Sequence, residues 1–362
     1  MKQRLSEFIT LQRGFDLPAS QRVFGKVPVV ASTGIVAWHN QAKVKAPGVV
    51  IGRSGSIGGG QFVEQDFWPL NTTLYVKDFK GNNPRYAYYA LKTIDFSAFN
   101  AGAGVPTLNR NHIASIEIEV LPLPIQDRIA GILSDYDSAI ANCRKQIALL
   151  EEAAMRLYRE WFKDGKGEKK RLEEFIYFQE GPGIRNWQYV ENDGTRFINI
   201  RCINNGDIDI KNANMISNEE ANGRYCHFLL REGDIVMSCS GTLGRCAIVR
   251  NDHLPLCLNT SVIRFCPKIS SYDYAFVYCY LTSSDFLDAQ KSMANGAAQL
   301  NFGPKHLKQI TLTIPDREKR FHFNDVVMPM LKMKNSLFSD IRTLTEARDR
   351  LLPKLMSGEI EV

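Results

Sequence analysis

The stretch VVIGRSGSIG at residues 49–58 decides how this chain of 362 residues is organised, because it returns as IVMSCSGTLG at residues 235–244. Each copy places a short apolar run before small polar residues and glycines, which is the pattern of a buried strand that ends in a tight turn. Self-similarity of this kind is the mark of a duplicated unit. The sequence therefore predicts one framework that is used twice.

Three further matches occur in the same order along both halves of the chain. Their offset grows from 167 to 194 residues, which indicates that the second copy has gained insertions. A single match can arise by chance, but four in order indicate a diverged duplication. The three matches are residues 5–9 with 172–176, residues 70–74 with 258–262, and Leu108-Asn109 and Ile113 with Leu300-Asn301 and Leu307.

Two long segments carry the heptad spacing of a coiled coil. Seam positions recur in alternating steps of four and three residues from Ile129 to Trp161, and again from Phe323 to Leu355. A sustained period of 3.5 residues keeps one stripe facing a partner helix, and at 1.5 Å per residue each stripe covers roughly 48 Å. The alternative is an amphipathic helix on a globular core. Because the stripes are equally long, we expect the two helices to pack on each other.

Four residues interrupt the second stripe or its helix. Lys334 and Arg348 occupy seam positions two heptads apart, where polar residues either fix the register or extend their charged ends into water. Pro329 and Pro353 should bend or end the helix, because proline cannot donate a backbone hydrogen bond.

The domain organisation follows from the repeat and the helices. Prolines mark a boundary before each helix, and the charged residues 163–171 are interpreted as an exposed linker. The predicted fold class is α+β, with two similar mixed α/β domains separated by two long helices that form an antiparallel coiled coil with pseudo-two-fold symmetry. Such a particle, with a fixed spacing, suits two DNA half-sites. The predicted segments are residues 1–122 and 166–315 for the mixed domains, and 123–165 and 316–362 for the helices.

The composition is that of an ordinary globular protein, with 44% hydrophobic residues and a net charge of +6. Residues 1–122 carry a net +5 and residues 169–315 a net +1, a bias that fits nucleic acid but also many other proteins. We expect a cytoplasmic protein without membrane contact, because no apolar run approaches the ~20 residues of a membrane span and the N-terminus lacks a signal core.

The eight cysteines form no C-x-x-C pair, which favours reduced, mostly buried thiols over a metal site or disulfides.

Three stretches are only partly similar to catalytic motifs. Residues 52–60 are glycine-rich but lack the lysine of a phosphate loop and the spacing of a dinucleotide loop, so a tight turn is favoured over a nucleotide site. Residues 82–86 (NNPRY) lack the second proline of the N-P-P-Y motif of adenine methyltransferases. Residues 315–319 (PDREK) place two acids too close together for a nuclease site, and we interpret them as first-turn acids of a helix. The six scattered histidines are interpreted as structural.

The order of parts resembles the specificity subunit of type I restriction-modification systems. The resemblance rests on the duplicated glycine turns, the Leu-Asn loops and the helix over residues 125–162, which is similar to the family's first conserved region. The ending RLLPKLMSGEI at residues 350–360 is similar to the second conserved region. The resemblance to this family covers essentially the whole chain. One departure is that Ile125-Gln126-Asp127 stands where the family usually has Glu-Gln.

This resemblance implies a non-catalytic subunit that recognises double-stranded DNA. Each mixed domain would be a target recognition domain for one half of a split site, and the helices would set the gap and dock two modification subunits. Those subunits would bring S-adenosylmethionine and the adenine-methylating site, and a restriction subunit would add ATP-driven translocation and cleavage. S-adenosylmethionine, ATP and Mg are therefore expected on the partner subunits. No cofactor or metal is expected on the chain itself. Because the copies differ in charge and loop length, we expect an asymmetric target rather than a palindrome.

The residues expected to contact DNA lie mainly at the glycine turns and the Leu-Asn loops. Arginine and lysine are the expected phosphate contacts, and asparagine, glutamine and some arginines are candidates to read base edges. In the first mixed domain they are Lys43, Lys45, Arg53, Ser54, Ser56, Thr107, Asn109 and Arg110. In the second they are Arg201, Ser240, Thr242, Arg245, Gln299, Asn301 and Lys305.

Two other functions are open on the sequence alone. A coiled-coil scaffold without DNA binding would show no salt-dependent affinity for duplex DNA. A self-contained enzyme with an unmarked active site would show an activity of the isolated chain that is lost when one of its histidines is replaced.

Overall fold

The computed structural model describes residues 1–102, 104–294 and 301–362. The chain divides into two compact units, which we call unit 1 (residues 1–141 and 342–362) and unit 2 (residues 142–341). Each unit therefore contains one mixed domain and part of each long helix. Among the helices of the described residues, none is long and apolar enough to cross a membrane. The segment boundaries predicted from the sequence stay a prediction.

Unit 1 is built on a large antiparallel sheet of order β2-β8-β5-β6, a small sheet of order β4-β3-β7, and the pair β1-β9. Its strands are β1 (Lys2–Arg4), β2 (Thr10–Arg13), β3 (Val27–Ala31), β4 (Gly34–His39), β5 (Gly48–Gly52), β6 (Gly58–Val63), β7 (Trp68–Pro69), β8 (Thr73–Asp78) and β9 (Glu117–Glu119). Its helices are α1 (Leu5–Phe8), α2 (Pro84–Lys92), α3 (Arg110–Ile113), the N-terminal half of α4 (Leu123–Phe162) and the C-terminal part of α10 (Arg317–Met356).

Unit 2 repeats this plan with a large sheet of order β11-β20-β17-β18, a small sheet of order β12-β16-β13-β19, and the pairs β10-β21 and β14-β15. Its strands are β10 (Glu168–Arg171), β11 (Ile176–Glu180), β12 (Tyr189–Val190), β13 (Gly194–Phe197), β14 (Ile203–Asn204), β15 (Asp207–Ile208), β16 (Asn214–Ser217), β17 (Ile235–Ser238), β18 (Cys246–Ile248), β19 (Leu256–Cys257), β20 (Val262–Pro267) and β21 (Thr311–Ile314). Its helices, beside the second half of α4, are α5 (Leu172–Phe175), α6 (Asn218–Asn222), α7 (Tyr274–Thr282), α8 (Ser284–Met293), α9 (Pro304–Leu307) and most of α10 (Arg317–Met356).

The duplication predicted from the sequence is confirmed in the topology. The central strands β5 and β17 are buried along their whole length, which suits their run of β-branched and apolar residues. Each small sheet contains one parallel pair of strands, which is β3 with β7 in unit 1 and β13 with β19 in unit 2. The α+β fold class with two similar mixed domains is therefore confirmed.

Backbone pairing corrects the register of one sequence match. Thr73 lies opposite Gly52, and Val262 lies opposite Ser238 in the second sheet. Thr73 therefore corresponds to Val262, whereas the sequence had matched it to Ser261. Turn residues such as Leu-Asn-Thr recur by composition, but hydrogen bonds between strands set the register, and a slip of one residue would turn every side chain to the other face.

A second match is shifted in the same way. The amide of Leu108 donates to the carbonyl of Arg53 over 2.8 Å, and the amide of Phe302 donates to the carbonyl of Cys239 over 2.8 Å. Leu108 therefore corresponds to Phe302. The residue that the sequence had matched to it, Leu300, lies outside the described residues.

The helices α4 and α10 pack side by side in unit 2. The Trp161 ring lies 5.5 Å from that of Phe323, while Ile147, further back along α4, shares a buried cluster with Leu337, further along α10. Residue numbers thus rise along one helix as they fall along the other, so the pair is antiparallel. The predicted helix pairing is confirmed.

The polar seam residues are paired rather than extended into water. Lys334 is 1% exposed, and its ammonium donates to Glu151 Oε1 over 3.0 Å and to the Tyr278 hydroxyl. In unit 1, Arg348 donates to Asp137 over 2.6 Å. Both basic seam residues of α10 therefore have an acidic partner on α4.

Two local expectations are corrected by the structure. Helix α10 continues through Pro329 and Pro353, so the expectation that a proline ends it is wrong, and the expectation of a bend stays a prediction. A proline inside a helix costs about 3 kcal/mol, which burial of neighbours such as Val327 and Leu331 offsets. Residues 168–171 are mostly exposed, as predicted, but they are not an unstructured linker, because they form β10 and pair with β21 over four residues.

Candidate nucleic-acid interface

The two glycine turns have the same backbone conformation. Gly55 and its counterpart Gly241 have φ values of +83° and +66°, and Gly58 and Gly244 have +73° and +79°. Residues with a side chain rarely adopt this left-handed region, so glycine is required to reverse the chain after each buried strand. The glycines are therefore explained by the tight turns that they form. This agrees with the sequence analysis, which favoured tight turns over a nucleotide site.

In unit 1 the glycine turn and the segment before α3 form one surface. Ser54 makes a β-bridge with Thr107, and the amide of Gly55 donates to the carbonyl of Pro106 over 3.0 Å. Ser56 is exposed in the same turn. The structure thus brings Thr107 beside Ser54 and Ser56, from which it is about fifty residues away in the sequence.

Three other candidates of unit 1 adjoin this surface. The guanidinium of Arg53 is half-buried and donates to the carbonyl of Asn71 over 2.9 Å. Asn109 caps α3, because its side chain accepts from the amide of Asn111 over 3.0 Å. Arg110 follows as the first residue of α3 and is exposed. Some polar groups of Arg53 and Asn109 thus already form hydrogen bonds within the protein.

Lys43 and Lys45 lie elsewhere. They precede β5, whereas the glycine turn follows it, and five strand residues span roughly 16 Å. The Lys43 ammonium lies 5.0 Å from the centre of the Trp68 ring. Lys45 pairs with Asp66 over 2.7 Å, and this hydrogen bond raises the pKa of the lysine. These two candidates do not join the turn surface.

Unit 2 repeats the turn surface with different side chains. Ser240 makes a β-bridge with Asn301, the counterpart of the bridge between Ser54 and Thr107. Thr242 is exposed, and its carbonyl accepts from the Ser238 hydroxyl over 2.6 Å. Lys305 is exposed on α9, and Gln299 lies outside the described residues.

The remaining candidates of unit 2, Arg201 and Arg245, meet at a segment that we call the insertion (residues 198–213), between β13 and β16. The Arg245 guanidinium donates to Asn204 Oδ1 over 3.0 Å and to the carbonyl of Ile200 over 3.4 Å. Arg201 and Lys211 line a cavity of about 300 Å³ in this segment. Sequence reasoning missed Lys211. The jump in repeat offset between residues 172 and 235 was the signal that pointed to an insertion here.

A further surface escaped the sequence analysis in unit 1. Strand β4 is the edge of the small sheet, and its residues Ile35, Val36 and Trp38 are about half exposed. An alternating apolar strand does not by itself reveal whether its edge is covered. In unit 2 the corresponding strand β16 is covered by β12.

The methyltransferase-like residues 82–86 have a structural role. Asn83 caps α2, and its side chain donates to Asp127 over 2.7 Å. Gln126 Nε2 donates to Asn82 over 2.8 Å. Residues 82–86 therefore anchor the start of α4 at Gln126 and Asp127.

The cysteines of the structure are free thiols, and most are buried or half-buried. Burial raises the pKa of Cys239, Cys257 and Cys279 to about 12, which keeps them in the unreactive thiol form at neutral pH. Within residues 1–102, 104–294 and 301–362, no group of three or more His, Cys, Asp or Glu residues is arranged to hold a metal ion.

The protein consists of two copies of one framework that carry unlike polar loops, and both copies are joined to paired long helices. This arrangement is that of a protein with two related recognition surfaces. Residues 1–152 and 166–321 match the sequence model of the family described as the type I restriction modification DNA specificity domain. Since this match spans most of the chain, the chain belongs to that family. Its function is that of a DNA sequence-specificity subunit.

Relatives and a solved structure agree with this assignment. The chain is 23% identical over 300 residues to the type I restriction enzyme MjaVIII specificity subunit of Methanocaldococcus jannaschii, covering 76% of this chain and 70% of that protein. It is 25% identical over 302 residues to the MjaIX specificity subunit of the same organism, covering 76% and 69%. The crystal structure of a type I restriction-modification S subunit from M. genitalium has a TM-score of 0.62 at 17% identity, covering 98% of this chain and 96% of that one, which shows a common fold.

Proposed function

We propose that the chain recognises an asymmetric, bipartite DNA site, with one half-site read by each unit. The observation that supports this most is the pair of turn surfaces. The Ser54–Thr107 bridge and the Ser240–Asn301 bridge are equivalent in the backbone, yet the side chains around them differ. Equivalent scaffolds with unlike side chains favour two different half-sites over a palindrome, because base edges are read by side chains.

The charge distribution supports an unequal use of the two mixed domains. Residues 1–122 carry a net +5 and residues 169–315 a net +1. Lysine and arginine contacts to phosphates supply affinity without sequence preference. The mixed domain of unit 1 would therefore contribute more of the nonspecific affinity. The residues expected to contact DNA stay a prediction.

The helices would set the gap between the half-sites and dock two modification subunits. In each unit α4 and α10 are held by a buried or half-buried ion pair, which opposes sliding of one helix along the other. The relatives are named subunits of type I restriction enzymes. We propose that modification subunits supply S-adenosylmethionine and the methylating site, that restriction subunits use ATP and Mg, and that this chain is non-catalytic. The cytoplasmic location stays a prediction.

Methylation mapping tests the proposal. The chain is expressed with its cognate modification subunit in a host without other adenine methylation, and single-molecule sequencing locates the modified adenines. We expect one split sequence with a fixed gap and two unlike halves. The chain alone and the modification subunit alone are the controls and should leave DNA unmodified. Methylation by the chain alone, or modification of a continuous palindrome, would contradict the proposal.

A further inference from the structure

The insertion is present in unit 2 and has no counterpart of similar size in unit 1. There, two residues, Ser32 and Thr33, connect β3 to β4, whereas residues 198–213 connect β13 to β16. The insertion contains the hairpin β14-β15, whose turn residues Asn205 and Gly206 both have positive φ, at +51° and +80°. Positive φ at both central residues is typical of the tight turn that suits a two-residue hairpin. The insertion therefore contains a regular two-stranded hairpin.

One face of the insertion is a basic cavity. The cavity of about 300 Å³ is lined by Arg201, Lys211, Ala213 and Asn214. Both basic side chains are exposed, and in the part of the chain that the structure describes neither forms an ion pair. The guanidinium, ammonium and amide groups are all hydrogen-bond donors, which is the chemistry that binds phosphate oxygens.

Arg245 ties this face to the glycine turn. Its guanidinium donates to Asn204 Oδ1 over 3.0 Å and to the carbonyl of Ile203 over 3.4 Å. Asn204 in turn donates to the carbonyl of Arg201 over 2.7 Å. The amide of Arg245 donates to Ser238 at the end of β17 over 2.9 Å. The backbone that carries Arg201 is thus held against the large sheet through Arg245.

The hairpin tip of the insertion rests on the helices of unit 2. A Cβ atom on Gly206 would lie 3.3 Å from Glu151 Oε1 and 3.4 Å from the Phe338 ring, so the hairpin tip contacts both α4 and α10. Asp207 beside the tip forms an ion pair with Arg250, whose guanidinium lies 5.6 Å from the Phe338 ring. A group bound in the cavity would therefore have a fixed position relative to this part of the helix pair.

We propose that Arg201 and Lys211 bind a backbone phosphate of DNA at the second half-site, and that Arg245 is a positioning residue for this phosphate site. This inference rests on the proposed function and adds a phosphate-binding residue, Lys211, that the sequence did not suggest. It also separates the roles of the arginines. Arg201 contacts the phosphate, and Arg245 acts through the backbone of the insertion.

The salt dependence of DNA binding by Lys211→Ala tests the phosphate site. The full chain in complex with its modification subunits is titrated with a labelled duplex carrying the mapped bipartite site, at several KCl concentrations. If both side chains are needed to hold the phosphate, loss of Lys211 removes one phosphate contact. Such a contact contributes about 0.9 to the slope of log K against log salt, so at 0.1 M the affinity should fall roughly fivefold to tenfold. The loss should be the same when the second half-site is scrambled, because a phosphate carries no sequence. Lys169→Ala, an exposed lysine of β10 outside the insertion, should keep the wild-type slope.

A double variant tests the positioning role of Arg245. If Arg245 acts through the insertion, Arg245→Ala should lower the slope by about the same 0.9 as Lys211→Ala, and the double variant should lower it no further. Arg245→Lys keeps the charge but cannot make all three contacts of the guanidinium, which are to Asn204 and to the carbonyls of Ile200 and Ile203. Compared with Arg245→Ala, it should restore only part of the wild-type slope. A double variant that loses twice the slope would show that Arg245 binds a phosphate of its own, which overturns the positioning role.

The outcomes separate this inference from the function on which it rests. A wild-type complex that binds the bipartite site normally, with an unchanged slope in Lys211→Ala, overturns the phosphate site and leaves the proposed function standing. A wild-type complex that shows no preference for a split site overturns the proposed function itself. Thermal unfolding of each variant beside the wild type identifies a loss of affinity that comes from unfolding, and such a variant is replaced by Lys211→Gln.

Discussion

The two small sheets differ more than the two large ones. In unit 1 the small sheet ends at β4, whose Ile35, Val36 and Trp38 are about half exposed. In unit 2 the corresponding strand β16 is covered by β12, and the short connection of unit 1 is replaced by the insertion. The large sheets, in contrast, repeat strand for strand. After duplication, the buried framework was thus retained while the exposed edge and connection changed.

The physical reason for this difference is packing. The strands β5 and β17 are buried on both faces, so a change of volume there costs stability in either copy. An exposed edge or loop tolerates insertion at small cost, because loop closure grows only slowly with length. The small sheets and turn surfaces can therefore diverge without loss of the fold.

The largest expected effect concerns the buried seam charge of unit 2. Glu151→Ala would leave the Lys334 ammonium, 1% exposed, without its acidic partner and should destabilise unit 2 by about 3 kcal/mol. Asp137→Ala in unit 1 should cost less, about 1–2 kcal/mol, since Arg348 is more exposed. Urea unfolding, read by hydrogen exchange of α10 peptides, measures both. Glu152→Ala, the exposed neighbour, is the control, and equal losses at the two pairs would contradict the ranking.

Loss of the left-handed turns should affect both units alike. Gly55→Ala and Gly241→Ala each place a side chain on a residue with positive φ, at +83° and +66°, and should cost about 1–2 kcal/mol. The measurement is hydrogen exchange of β5 and β17 in urea. Gly104→Ala, whose added methyl would meet open space, is the control. A cost in one unit only would show that the turns are not equivalent.

The edges should respond differently to truncation of an aromatic residue. Tyr189 lies in the covering strand β12, with its ring 5.2 Å from that of Phe197, and Tyr189→Ala should destabilise unit 2 by about 1 kcal/mol. Trp38→Ala removes an exposed ring from the open edge and should change the free energy of unfolding of unit 1 by less than about 0.5 kcal/mol. Chemical unfolding curves compare the two, and a larger loss for Trp38→Ala would mean that the edge of β4 is not open.

The smallest effect concerns acid sensitivity of the insertion. Burial of Asp207 by itself raises the pKa of its carboxyl, but the neighbouring His253 imidazole and the hydrogen-bonded Arg250 guanidinium outweigh burial and hold the pKa below its ordinary 3.8. A lowered folded-state pKa means that the stabilisation is present above the unfolded pKa and is lost as pH falls through the folded one. Hydrogen exchange of residues 198–213 should therefore accelerate below about pH 4, and Asp207→Asn should flatten this dependence. Glu191→Gln, an exposed site, should leave the profile unchanged.

Much of the candidate interface was predictable because its signals are local. The glycine turns and the adjoining loops were identified from residue types alone, and the structure brings Ser54 to Thr107 and Ser240 to Asn301. Lys43 and Lys45 were grouped with them only because they are basic and close in sequence. Lys211 was missed because a lone lysine in a loop has no pattern. Its partner Arg201 becomes adjacent only when the insertion folds.

The sequence by itself determined the duplicated strand and turn and the two heptad helices, because periodicity and left-handed glycine positions are properties of short segments. The tertiary structure alone decided the true register of the repeat, the acidic partners of Lys334 and Arg348, and the continuity of α10 through its prolines. These depend on hydrogen bonds and packing between residues far apart in the chain, whose energies no local pattern contains. The same holds for the insertion, which unites a basic cavity, a glycine turn and the helices within unit 2.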